Sequence, residues 1–188
     1  MSNIWFTSDW HFNHNKSFVY EPRGFKNVYD MNKMIIKNFN SVVKYEDTVY
    51  CLGDCMLGDN AIGISCLKQL NCGNIKIILG NHCTKVREEL YKTMYNVEVL
   101  GYANILKYHH YTFYLSHYPT IVSNYDADKP LKARVINLCG HSHTQDKFHD
   151  FDKGLIYHCE LDAHNNTLVS IDQIILDIKE RINNNGKY

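Results

Sequence analysis

Residues 3–11 read Asn-Ile-Trp-Phe-Thr-Ser-Asp-Trp-His. A short apolar run stops at Ser8, and Asp9-Trp10-His11 follows at once. The run has the length and the aromatic and β-branched content of a buried strand, so residues 3–8 are predicted as one. The same pattern returns four times. A predicted strand over 48–52 ends at Leu52 and gives way to Gly53-Asp54, and one over 75–79 gives way to Gly80-Asn81-His82. A strand over 111–116 is followed by His117, and one over 135–139 by Gly140-His141-Ser142-His143. In open α/β sheets, ligands bind outside the carboxyl ends of strands. The five segments are therefore expected to meet in one patch, with glycines letting the backbone turn sharply beside a ligand. Asp9, His11, Asp54, Asn81, His117, His141 and His143 would bring only oxygen and nitrogen donors. One ion can use only some of them, so two ions sharing a carboxylate is the economical reading. Each piece alone is weak, since Gly-Asp is usually a turn and an Asp-x-His tripeptide arises by chance. The ordered repetition carries the signal.

The remaining chain fits between these points. Residues 9–28 read as a long loop, and long loops in compact domains are usually functional. A helix capped by Asp30 is predicted to run to about residue 43, with Met31, Met34, Ile35, Phe39 and Val42 on one face. Helices are expected over 61–70 and 84–94. Strands are expected over 97–100, 103–108 and 155–159, the second forming a hairpin with 111–116 across His109-His110. Ser170 and Gln173 form a capping box for a last helix striped by Ile171, Ile174, Ile175, Ile178 and Ile182. Alternating strands and helices predict one central sheet covered on both faces, mixed because of the later hairpin.

The chain of 188 residues suits a single domain, 1–188. Lys plus Arg is 20 and Asp plus Glu is 20, a balance that argues against gripping long nucleic acid, which rests on phosphate neutralisation. No apolar run approaches the roughly eighteen residues of a membrane span. The opening residues lack a basic stretch, and Asp9 falls too early for a secretory core, so a cytoplasmic protein is expected. The seven cysteines are dispersed with no Cys-x-x-Cys, which predicts reduced, buried thiols. The unusual count is eleven histidines, the commonest metal ligands.

With these residues in place, the chain resembles the calcineurin-like metallophosphoesterases. That family's ordered blocks are D-x-H, G-D, G-N-H-[DE], a lone His and G-H-x-H. Here they match Asp9-Trp10-His11, Gly53-Asp54, Gly80-Asn81-His82, His117 and Gly140-His141-Ser142-His143. The opening WFTSDWHFNHNKS and the later LDAHNNTLVSIDQI resemble a small, uncapped bacterial and phage branch. The resemblance implies two mixed β-sheets packed as a sandwich and flanked by helices, a four-layer α/β/β/α fold in place of the single sheet. It implies that Asp9, His11 and His143 hold one ion, that Asn81, His117 and His141 hold a second, and that Asp54 bridges them. His82 would sit beside the phosphate as acid or charge stabiliser. It also places the protein in the cytoplasm of a bacterium, or of a host cell if phage-encoded. Cys83 departs from the family, which usually has an acidic residue there to orient the catalytic His. A neutral thiol is a poorer partner for an imidazolium. Another carboxylate could substitute, the leaving group could need less protonation, or Cys83 could be a soft ligand.

The expected function is hydrolysis of a small phosphodiester or nucleotide-type phosphoester by direct attack of a metal-bridging hydroxide, with His82 and Asp54 as catalytic residues. Two cations neutralise the ester and bring the pKa of water down from about 15.7. Mixed donors suit manganese first, then iron, zinc, nickel or cobalt; four histidines fit magnesium or calcium poorly. The alternatives are a phosphomonoesterase or protein phosphatase, or a metal-binding scaffold module with weak activity. Arg23, His14 and Asn13 are candidate substrate contacts, each weighed against a plain loop or surface role. Lys129, Lys132 and Arg134 read as a solvated basic face, and His164 as structural.

Overall fold

The structure is a computed structural model and describes residues 2–120, 130, 133–149 and 155–184. Strands β1 (Ile4–Thr7), β2 (Thr48–Cys51), β3 (Asn74–Ile78) and β4 (Val97–Gly101) run parallel, and β9 (Val169–Ser170) pairs antiparallel with β1. Their order is β4-β3-β2-β1-β9. A second sheet has the order β5-β6-β7-β8, from β5 (Ala103–Tyr108), β6 (Tyr111–Ser116), β7 (Val135–Cys139) and β8 (Ile156–His158). In it β5 and β6 form the hairpin predicted across His109-His110, while β6, β7 and β8 run parallel. The structure has the two mixed sheets flanked by helices that the resemblance implied, which corrects the single sheet predicted from alternation alone. The strand pattern says which residues are buried but not which strand pairs with which. The division falls at Gly101, where φ of 84° takes the chain out of β4 toward β5.

Alternation along the strands builds two cores. On one face of the first sheet, Val49, Cys51, Ile75 and Ile77 pack against α2 (Val28–Val42), α3 (Asn60–Leu67) and α4 (Lys85–Lys92), together with Trp10, Phe12 and Phe39. On the opposite face, Phe6, Tyr50, Leu52 and Ile78 meet Phe113, Leu115, Ile136 and Leu138 of the second sheet. The isoleucine stripe of α5 (Ile171–Asn184) joins this second core, and the Tyr157 hydroxyl of β8 donates to Asp177 at 2.6 Å. Among the described residues no helix is long and apolar enough to cross a membrane.

Several local expectations shift. The long loop contains a short helix, α1 (Ser17–Tyr20). Helix α2 starts earlier than predicted because Asn27, not Asp30, is the cap: the Asp30 N–H donates to Asn27 Oδ1 at 2.9 Å. Met34 is exposed rather than buried. The box at α5 is half-made, with the Gln173 N–H on Ser170 Oγ at 3.1 Å, while the Gln173 amide turns to Asp177. All seven cysteines are free and buried. Arg134 is buried, which corrects the solvated-face reading at that residue; Lys129 and Lys132 lie outside the described residues.

Candidate metal centre

Because β1, β2 and β3 are parallel, and β6, β7 and β8 likewise, the loops after them leave at one edge of the sandwich. Backbone bonds fasten neighbouring loops to each other there. The Asp9 N–H donates to the Gly53 carbonyl (3.1 Å), His11 N–H to the Asp54 carbonyl (3.0 Å), and Gly140 N–H to the His117 carbonyl (3.0 Å). Trp10 and Phe12 are fully buried and anchor the first loop in the core between and beyond Asp9 and His11. Asp9, His11, Asp54, His141 and His143 all have φ between 49° and 73°. Left-handed backbone costs a non-glycine residue on the order of 1–2 kcal/mol. Strain gathered at one edge is typical of a site whose geometry the surrounding fold over-determines.

The proposed donors fall into two adjoining groups. In the first, Asp9 Oδ1 lies 3.5 Å from His11 Nε2 and 3.7 Å from His143 Nε2, and the two imidazole nitrogens are 3.1 Å apart. In the second, His117 Nε2 lies 2.8 Å from Asn81 Oδ1, 3.3 Å from Asp54 Oδ2 and 3.2 Å from His141 Nδ1. His141 Nδ1 is 3.0 Å from the same Asn81 oxygen. Asp9, Asp54 and His117 also present ligand atoms within 4.8 Å of one another, which ties the groups together. All seven donors singled out in the sequence are therefore brought to one place.

The residues fit a cation. Asp9 Oδ1 is buried without a hydrogen-bond partner, while Asp9 Oδ2 accepts the His141 N–H at 2.8 Å. An unpaired buried carboxylate oxygen is costly, and a metal ion is one of the few groups that offsets the cost. His117 donates Nδ1–H to the Leu52 carbonyl at 2.9 Å, so in the neutral ring Nε2 carries a lone pair aimed at two oxygens. Such convergence of acceptors is repulsive without positive charge among them.

The titration directions agree with that polarity. Burial works to raise the Asp9 and Asp54 carboxyls, but His11 and His117 for the first, and His117 for the second, hold both below the usual range. Burial works to lower His117, and Asp54 and Asp9 reverse it to a net rise. His11 and His141 are lowered, in each case chiefly by burial. His82 sits at the mouth, its side chain 39% exposed. Its N–H donates to Asp54 Oδ1 at 2.9 Å, and its Nε2 stands 4.0 Å from Asp54 Oδ2. A cleft of about 300 Å³ opens here, walled by His11, His14, Asp54, His82, His141 and Phe18 among others.

Cys83, beside His82, belongs to the apolar core around Trp10 and Tyr91. Burial pushes its thiol up to about 12, so it is neutral, and it lies in neither donor group. The carboxylate standing by His82 is that of Asp54.

The candidate substrate contacts are placed differently from one another. Arg23 is buried and bonded to protein: Nε and Nη2 donate to both Asp162 oxygens at 3.0 and 2.7 Å, and Nη2 donates to the Asp9 carbonyl at 2.8 Å. This geometry makes it a brace for the Asp9 loop instead of an open phosphate clamp. His14 lines the cleft, with Nδ1 3.2 Å from His11 Nδ1; burial, then His11 and His82, lower its pKa to about 4. A neutral His14 can accept the Nδ1–H of His11, which leaves His11 Nε2 free to bind. Asn13 turns toward α2 and α3, its backbone N–H on Asn32 Oδ1 (3.2 Å) and its side chain on the Asp59 carbonyl (3.4 Å). His164 is buried, with Nε2 2.9 Å from the His158 carbonyl.

Sequence reasoning passed over Asp162. It lies in the 3₁₀ turn Leu161–His164 after β8, and its Oδ2 is 3.0 Å from His143 Nδ1. Burial would raise this carboxyl, but His143 and Arg23 hold it down to about 2. The pair fixes the ring so that Nε2 faces the donors. The signal was present: Asp162 follows a strand by a few residues, as Asp9 and Asp54 do, but without an adjacent glycine or histidine block to mark it.

No family model matches the chain. Over 120 residues, 63% of the chain, it is 39% identical to the uncharacterized protein MJ1445 of Methanocaldococcus jannaschii, covering 60% of that protein. Over 85 residues, 44% of the chain, it is 38% identical to the Gene 66 protein of Mycobacterium phage L5, covering 40% of it. The chain thus matches less than two thirds of the length of these curated relatives. Among solved structures it shares its fold with AQ665, a protein of unknown function from Aquifex aeolicus. That likeness has a TM-score of 0.72 at 21% identity, over 93% of this chain and 98% of that one. YfcE, a phosphoesterase from E. coli, aligns at a TM-score of 0.46 and 15% identity, over 84% of this chain and 78% of that one.

Proposed function

We propose that the chain is a metal-dependent phosphoesterase acting on a small phosphodiester or nucleotide-type phosphoester. The observation that carries this reading is the convergence of Asp9, His11, Asp54, Asn81, His117, His141 and His143 as two abutting donor groups, with Asp54 beside His82 at an open cleft. Divalent cations held by these donors would supply charge against the phosphoryl oxygens and acidify water. Manganese is proposed first, on the mixed nitrogen and oxygen set. Asp54 orients the His82 backbone through its N–H and keeps a negative charge near the ring. His82, partly exposed, is placed to hand a proton to the leaving oxygen or to steady its charge. Arg23 and Asp162 hold His143, and His14 holds His11, so the donor rings face inward before any ester arrives.

The test is hydrolysis of bis-p-nitrophenyl phosphate by metal-stripped protein, with and without Mn²⁺. Turnover is expected only with metal, and Asp54→Asn should lower it at least about a hundredfold while reducing bound metal. Turnover of p-nitrophenyl phosphate alone would point to the phosphomonoesterase alternative. No turnover of either ester with manganese, iron, cobalt, nickel or zinc would overturn the proposal.

A further inference from the structure

A second cavity, about 410 Å³, opens on the other side of His143 from the cleft. It is larger than the cleft and within the size range of small-ligand pockets. His143 is the wall the two share: its Nε2 faces His11, and its Nδ1 faces Asp162, which lines the cavity. The charges on this wall cancel, because Arg23 and Asp162 bind each other at 2.7 Å. A second phosphate, a carboxylate or an ammonium group would find no free counter-charge there. What the cavity offers instead is carboxamides, from exposed Gln145 and Asn165 and half-buried Asn166, with Pro22 at the rim and Leu161 and Ala163 buried beneath. Among the described residues no protein group hydrogen-bonds the side chains of Gln145 or Asn165, which leaves their donors and acceptors for a ligand. A carboxamide both donates and accepts, and so matches the mixed edge of an uncharged heterocycle or a sugar hydroxyl.

We propose that this cavity is a binding subsite for an uncharged nucleoside arm of the ester, held beside His143 while the phosphoryl group lies at the donor cluster. The inference rests on the phosphoesterase reading and adds to it which kind of group the ester carries. The polar edge of the base and the sugar hydroxyls would meet the free amides of Gln145 and Asn165.

The experiment compares two diesters with the same leaving group, the p-nitrophenyl ester of thymidine monophosphate and methyl p-nitrophenyl phosphate, in Mn²⁺-loaded protein. The variant carries Gln145→Ala and Asn165→Gly; glycine keeps the left-handed backbone found at Asn165, where φ is 53°. Losing two neutral hydrogen bonds should raise KM for the thymidine ester about tenfold. Its kcat, the bound metal and both constants for the methyl ester should stay within about twofold. An unchanged thymidine KM, or an equal rise for both esters, would overturn the subsite and leave the phosphoesterase reading standing. A wild type that hydrolyses neither ester would sink that reading, and the subsite with it.

Discussion

At the scale of single residues, the donors are held as firmly as they are chosen. His143 is aligned by Asp162, and Asp162 by Arg23. Asp162→Asn keeps the shape but lets the ring and its tautomer drift. Second partners of this kind are worth roughly 10–100-fold in metal affinity, and titration of Mn²⁺ followed by calorimetry should register a loss of that order in one class of site. His14 gives a pH-dependent signature. Its pKa in the fold is about 4 against an ordinary value of 6.5. Between those values the unfolded chain takes a proton that the folded chain refuses, so stability falls as pH drops from 6.5 toward 4 and levels off below. In metal-free protein, His14→Gln should flatten that part of the urea-denaturation profile; identical slopes for variant and wild type would reject the assignment. Sequence made Asp9, His11, Asp54, Asn81, His117, His141 and His143 legible because each follows a strand within a recognisable block. The pairing of Arg23 with Asp162 was not legible, because bracing is a property of contact across 139 positions, which spacing does not encode.

At the scale of elements, the first residues after β1, β2, β6 and β7 are crowded and fastened to a neighbouring loop. Gly53 shows how tight the fit is: its φ is 108°, and a Cβ there would collide with the His117 ring. Gly53→Ala should therefore cost about 2 kcal/mol or more, from backbone strain and the displaced imidazole together. A chemical-denaturation midpoint indistinguishable from wild type would show that the loop yields more easily than this packing implies. Strand and helix existence was legible almost throughout, since apolar runs of five or so residues and the 3.6-residue stripe of α2 are strong signals. Element ends were less so. Asn27 caps α2 through side-chain geometry that Asp30, three residues on, mimics in sequence, and α3 is capped by Asp59.

At the scale of the molecule, the donors come from both sheets. Asp9, His11, Asp54 and Asn81 follow strands of the first, and His117, His141 and His143 follow strands of the second. A cation bound by both sets would join the two layers in addition to the apolar seam of Phe6, Leu52, Phe113 and Leu138. Binding to the folded state alone stabilises by about 2.7 kcal/mol at a hundredfold excess over Kd. The thermal midpoint should rise with Mn²⁺ concentration, and Asp54→Asn should blunt the rise; a midpoint indifferent to the ion would separate the donors from stability. The division into two sheets was the part of the fold that residues alone did not disclose. Pairing partners are chosen by long-range packing, and the turn at Gly101 reads locally like any other.

The span of the site along the chain also bears on how the protein is made. Asp9 leaves the ribosome early and Asp162 late, with a full sheet of partners between them. A nascent chain that has completed β4 carries Asp9, His11, Asp54 and Asn81 but none of the histidines that follow β6 and β7. A cation would therefore meet all seven donors only once the chain has passed β7, and a chain stalled before β6 would present only the four from the first sheet.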